Sequence, residues 1–251
     1  MSLRSPSPIV WDDRLKESDK KLVTDLNASL DRLDGLRAVE INPTGPFVRS
    51  KIAWKLVTYQ HALLHRIVAL MDGVGVAFNA RSTLTVILAA RAFMETLAVM
   101  SLFEERVRAL LKAEDLGGLN ALVQNSIFAS PDPDFTEEFP DAKAVNILTY
   151  IDKFDKRAPG FRGHFDLLSE RCHPNSAGHN FMFSKLDRLD GSVTYFEESH
   201  PERNAQMILA AVAALPLTGN LMARLDDLIL KVSELHHRVS PMRGDQPESG
   251  G

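Results

Sequence analysis

LTVILAARAFMETLAVMSLF, residues 84–103, decides the fold. About 15 of its 20 positions are apolar, and they occupy every face of a helix. A helix that is apolar all round is buried among neighbours rather than laid on a surface. The run is long enough to cross a bilayer, but Arg91 and Glu95 stand near its centre. Each would cost about 2.5–3.5 kcal/mol or more in lipid. The stretch therefore reads as the central rod of a helical bundle in water. Its amphipathic continuation, EERVRALLKAED (104–115), is expected to emerge into solvent and to stop near Gly117 and Gly118.

On the N-terminal side, Ile52, Leu56, Tyr59, Leu63, Ile67 and Leu70 recur at helical spacing and predict a helix over 48–71. Asp72, Gly73 and Gly75 should break or kink it. Before it, Leu15, Leu22, Val23, Leu26, Leu30 and Leu33 form one stripe over 12–34, with Asp12 or Asp13 as cap and Gly35 as stop. INPTGP (41–46) is a loop between the two.

On the C-terminal side a short helix is expected over 119–129, then an acidic, proline-broken loop, SPDPDFTEEFPD (130–141). A helix over 142–156 should turn Val145, Leu148, Ile151 and Phe154 inward. After the turn APGFRG, a helix over 164–172 should end before Pro174, because the residue preceding a proline avoids the α region. FMFSKLD and SVTYFEE flank RLDG and predict a β-hairpin within 181–198. Pro201 opens a last helix to about 239, which Pro216 must kink or split. Its core stripe is Ile208, Ala211, Val212, Leu215, Met222, Leu225, Ile229 and Val232. The expected architecture is all-α: a bundle of about six to eight helices with a small β-hairpin excursion. One domain covers 1–240, and residues 1–10 and 241–251 are expected as disordered tails.

Composition agrees with a globular chain: 251 residues, 45% hydrophobic and 25% charged. With 29 basic and 33 acidic residues the net charge is −4, so no global positive field draws nucleic acid or an acidic membrane. The single cysteine, Cys172, excludes an intrachain disulfide and fits a reducing compartment. The N-terminal residues carry no secretory signal pattern, and no strongly basic amphipathic face suits a membrane surface. The expectation is a cytoplasmic protein. The apolar faces of the first and last helices can pack internally or against a second copy, and periodicity does not separate the two.

Two constellations could carry chemistry. Arg91 and Glu95, in RAFMET, stand one turn apart on the most apolar helix. Burying either charge alone costs several kcal/mol, so they are either an internal ion pair or the walls of a polar pocket. In the pocket reading Arg91 grips an anion, and Glu95 orients it or acts as a base. In LLSERCHPNSAGH, Ser169 and His173 share a helix face, and Pro174 leaves His173 at a helix C-terminus. Asn175 can cap the break, and His173 and Asn175 either join that pocket or satisfy loop backbone groups. G-x-S-x-G is absent, so a Ser–His hydrolase is a poor fit. His61 and His65, in HALLH, have the spacing of zinc helices, but Ala62 stands where a metalloprotease needs Glu, and no cysteine cluster supplements them. His236 and His237 are expected to cap the last helix at the surface. DGVGVAFN is neither a P-loop nor a dinucleotide fingerprint. No metal and no cofactor are expected.

RAFMET on an apolar helix, followed about 75 residues later by LSERCHPN and a short hairpin, resembles a family of bacterial all-helical proteins without established activity. The resemblance covers about residues 50–235 and points at Arg91, Glu95, Ser169, His173 and Asn175. More distantly, the helical build and the histidine turn resemble HEPN domains, some of which are metal-independent ribonucleases of toxin and phage-defence systems. Their hallmark pairs an arginine with a histidine a few residues on. Here Arg171 and His179 have seven residues between them, and Arg157 and His164 six, across a loop sequence. Two functions follow as expectations. One is a ligand-binding or interaction module with a polar Arg/Glu/His pocket. The other is RNA cleavage, with Arg91 or Arg171 holding phosphate and His173 moving protons.

Overall fold

The computed structural model describes residues 3–43, 50–130, 132–138 and 145–239. A 3-10 turn at Glu17–Asp19 leads into α1 (Lys20–Gly35), α2 (Lys51–Asn79), α3 (Thr83–Lys112) and α4 (Leu116–Phe128). Then come α5 (Pro133–Glu138), α6 (Ile147–Asp155) and α7 (Phe161–Cys172). A π-helical turn at Ser176–Asn180 and the single turn α8 (Phe181–Phe183) precede the strands β1 (Ser184–Leu186) and β2 (Val193–Tyr195). The chain closes with α9 (Pro201–Val212) and α10 (Pro216–Val239). The protein is an all-α bundle with one antiparallel hairpin, paired Ser184 to Tyr195 and Leu186 to Val193.

α3 is the axis. Ile87, Ala90, Phe93, Met94, Leu97 and Met100 expose no surface. α2, α4, α6, α7, α9 and α10 all pack against it. Three helical stretches, Lys51–Asn79, Thr83–Lys112 and Pro201–Val239, are long and apolar enough to cross a membrane. Half to two thirds of their most apolar windows is buried inside the protein.

Several boundaries differ from expectation, each for a physical reason. α2 runs unbroken through Gly73 and Gly75 to Asn79. Gly75 serves packing instead: a Cβ there would stand 2.1 Å from the Ser7 carbonyl oxygen. That contact belongs to the N-terminal segment, which is not a frayed tail. Residues 3–11 are tethered to α1 and α2, with Ile9 in the core. The Asn27 side chain accepts from Ile9 N–H at 2.9 Å and donates to Ile9 O at 2.8 Å. The Asn79 side chain accepts from Val10 N–H at 2.9 Å and donates to Pro8 O at 2.9 Å. Two side-chain amides thus do for the segment what a neighbouring strand would do. The expected tail 241–251 lies outside the described residues.

α1 starts at Lys20 rather than near residue 12, because Asp12 and Arg14 are engaged elsewhere. The Arg14 guanidinium binds Asp12 and the Phe78 carbonyl and lies over the Phe78 ring. The acidic stretch forms the short helix α5 where a loop was expected: Pro133 opens it, and Asp132 accepts from Asp134 N–H. α6 buries Ile151 and Phe154, whereas Val145 and Leu148 are exposed. α7 begins at Phe161, three residues before the expected start, because Gly160 takes φ 94° just ahead of it. Pro216 splits the last helix into α9 and α10.

Candidate functional site

Arg91 and Glu95 project from α3 toward α7 and pair with each other, Nη2 to Oε1, at 3.2 Å. Their side chains are 30% and 25% exposed, so they sit at the rim of the bundle and not in its interior. The all-apolar appearance of the helix hid a narrow wet edge. The Arg91 guanidinium lies 5.3 Å from the centre of the Phe165 ring. Phe165, Ser169 and Cys172 follow one another on one face of α7. Burial pushes the Cys172 thiol up and the nearby Glu95 charge adds to it, while the Arg91 charge and hydrogen bond oppose. Arg91 Nε and Ser169 Oγ are buried without a hydrogen-bond partner.

Of the five residues singled out by sequence, Arg91 and Glu95 pair at the α3–α7 seam beside Phe165 and Cys172, and Ser169 lies on the same face of α7 as those two. His173 and Asn175 do not join them. His173 is the extended, exposed residue that ends α7, and its N–H donates to Ser169 O. Among the described residues its ring bonds to neither Arg91 nor Glu95. Asn175 caps the π-helical turn: its side chain accepts from Ala177 and Gly178 N–H, both at 3.0 Å, and donates to Glu170 at 2.9 Å. The turn closes so tightly that a Cβ on Gly178 would stand 1.8 Å from His173 O. Proline geometry and glycine approach, not a shared chamber, account for the HPNSAG sequence.

The histidine pairs have equally local uses. His61 Nδ1 accepts from Ala38 N–H at 3.4 Å, and His65 Nε2 bonds Ala38 O at 3.0 Å, so HALLH clamps one residue of the α1–α2 connection. His236 bonds Ser50, the residue that caps α2. Among the described residues no group of His, Cys, Asp and Glu is arranged to hold a metal ion.

The open volume lies elsewhere. A cavity of about 330 Å³ sits between α2, α3, α4 and α6. Val99, Leu102, Phe103, Leu122 and Ile147 wall it with apolar surface, and Tyr59, Tyr150, Ser126, Asn125 and Arg106 supply its polar groups. The Tyr59 ring packs edge-on against Phe103, with centroids 4.8 Å apart. Burial pushes the Tyr59 hydroxyl up to about 12, Tyr150 adds to the shift, and a hydrogen bond with Ser126 opposes it. The phenol is therefore neutral at physiological pH, a donor and acceptor facing an apolar hollow. Arg106 is half-buried and has no carboxylate partner among the described residues. Periodicity marked Tyr59 only as core; which side chains meet across four helices is tertiary information.

Glu104 is the other residue that sequence reading missed. It was expected at the start of a solvent-exposed continuation, yet it is 1% exposed. Its carboxylate takes Arg108, lies 3.4 Å from Arg224 and lies 3.9 Å from Arg157. A signal did exist: Glu104 stands one or two turns from Leu97, Met100 and Val107, all fully buried.

No family model matches this chain, and no curated protein or solved structure matches it.

Proposed function

We propose that the protein is a small-molecule-binding module, and that the cavity between α2, α3, α4 and α6 is where the ligand sits. The observation that carries this reading is the composition of the hollow: apolar walls, a few convergent polar groups and one guanidinium without a carboxylate partner among the described residues. Binding sites for small organic molecules have this make-up. The ligand class is a compact organic anion. Its apolar body lies against Val99, Leu102 and Phe103, its hydrogen-bonding group meets Tyr59 and Ser126, and its charge meets Arg106. The α3–α7 seam is then an edge ion pair that fixes two helices.

The test uses 1-anilinonaphthalene-8-sulfonate, which has an apolar body and an anionic head. Its fluorescence should rise on the native protein with one-to-one stoichiometry. Ala129→Trp, which plugs the exposed rim, and Arg106→Gln should each weaken binding by about tenfold or more with the melting temperature unchanged. Absence of saturable binding, or equal binding by both variants, removes the reading.

RNA cleavage is a second reading with one observation in its favour. Arg171 is 8% exposed, bonds the Ala177 carbonyl at 3.1 Å and lies over the Phe181 ring. Burial and then the like charge of Arg203 hold its pKa down. The end of α7 is thus cationic beside His173. This reading requires that His173→Ala abolish cleavage of RNA at unchanged melting temperature.

A further inference from the structure

Glu104 is surrounded by more positive charge than it needs. A buried carboxylate is stabilised by one well-placed guanidinium. This one has three within reach: Arg108 from its own helix, Arg157 from just beyond α6, and Arg224 from α10. Glu105 takes up part of the surplus, through Arg157 Nη2 at 2.6 Å. Arg157 Nη1 is also anchored, to Ser101 Oγ at 3.0 Å, and Ser101 is itself buried. Three guanidiniums against two carboxylates leave a net positive cluster, and Lys153 lines the adjoining hollow.

The surplus charge faces an opening. A notch of about 130 Å³ lies between α3, α6 and α10, with Arg157, Arg224 and Asn220 on its rim and Phe154 and Leu217 among its walls. Arg224 approaches Glu104 through Nε at 3.4 Å, and its half-exposed guanidinium fork lines the notch. Asn220 stands one turn before Arg224 on the same helix, so its amide and that fork reach the same space. Arg157 is fixed by Ser101 O and Oγ through Nη1 and by Glu105 through Nη2, and Arg224 is drawn to the buried Glu104, so the two line the notch as a preorganised cationic seat for a tetrahedral oxyanion.

We propose that this notch is a binding site for a phosphoryl group. The oxygens are held by the Arg224 and Arg157 guanidiniums and the Asn220 amide, and Glu104 orients the arginines without touching the anion. The site is separate from the cavity proposed above and shares no lining residue with it.

The probes are inorganic phosphate and phenyl phosphate, titrated calorimetrically into the full chain at constant ionic strength with chloride as the balancing ion. Phosphate should bind saturably at one site. Arg224→Gln and Asn220→Leu, both on the exposed rim, should each weaken it by about tenfold or more. Arg162→Gln, at a half-buried arginine on α7 with its own carboxylate partners, should leave it unchanged. Tighter binding of phenyl phosphate assigns the site to phosphomonoesters, through the Phe154 and Leu217 walls, and equal binding assigns it to the free anion. No saturable binding by the wild-type protein, or binding undiminished in both rim variants at unchanged melting temperature, overturns the proposal.

Discussion

At the scale of single residues, burial decides which charged side chains matter. Glu95 and Glu104 both come from α3 and both meet arginine, but Glu95 is 25% exposed and Glu104 1%. Glu95→Gln should therefore cost less than about 1 kcal/mol, as for a solvent-touched pair. Glu104→Gln removes a buried charge-assisted contact with three half-exposed arginines and should cost about 1–3 kcal/mol. Urea unfolding of the two variants side by side checks the contrast. Tyr59 adds a pH dependence. Its folded-state pKa, about 12, lies above the ordinary value of 10.0, so the phenol holds its proton more tightly in the folded protein. The stability this confers is complete below pH 10.0 and is lost as pH rises from there toward about 12. Tyr59→Phe should flatten that part of the alkaline unfolding curve. Gly178→Ala should cost about 1–3 kcal/mol, because the group a new methyl would meet is the His173 backbone carbonyl, which cannot swing aside.

At the scale of elements, hydrophobic period and proline position were good guides. Residues 84–103 gave the central rod, Pro174 the end of α7, and Pro216 the break between α9 and α10. The failures came where a distant partner overrode a local preference. Gly73 and Gly75 lower helix propensity, yet α2 continues because the N-terminal segment needs the bare backbone at Gly75. The same partnership kept residues 3–10 from reading as structure, since nothing local marks Pro-Ile-Val as a tethered segment. The candidate site was legible in part. Arg91 and Glu95 do pair, because a four-residue spacing fixes a helix face. For His173 the rule stops one residue short, since α7 ends at Cys172, while Asn175 caps the next turn as its sequence position allowed. The strap gives its own test. Asn79→Ala should cost about 1–3 kcal/mol, from two hydrogen bonds at roughly 0.5–1.5 kcal/mol each. In a chain lacking residues 1–11 the same substitution should cost almost nothing, and a double-mutant cycle reads the difference.

At the scale of the whole molecule, the two proposed binding sites lie on different flanks of α3. Leu102 and Arg106 face one and Ser101 the other, while α6 contributes Tyr150 to the first and Phe154 to the second. α6 is thus the wall between them. The bond from Val10 to Asn79 spans 69 positions of chain. During synthesis the strap emerges before the helix that holds it, and closing so long a loop has an entropic cost that favours late docking. Its release should then be an early, local opening of the native protein, well below the threshold for global unfolding. The amides of Ile9 and Val10 should exchange with solvent deuterium sooner than those of α3, and limited proteolysis should clip the chain there while the bundle behind it stays whole.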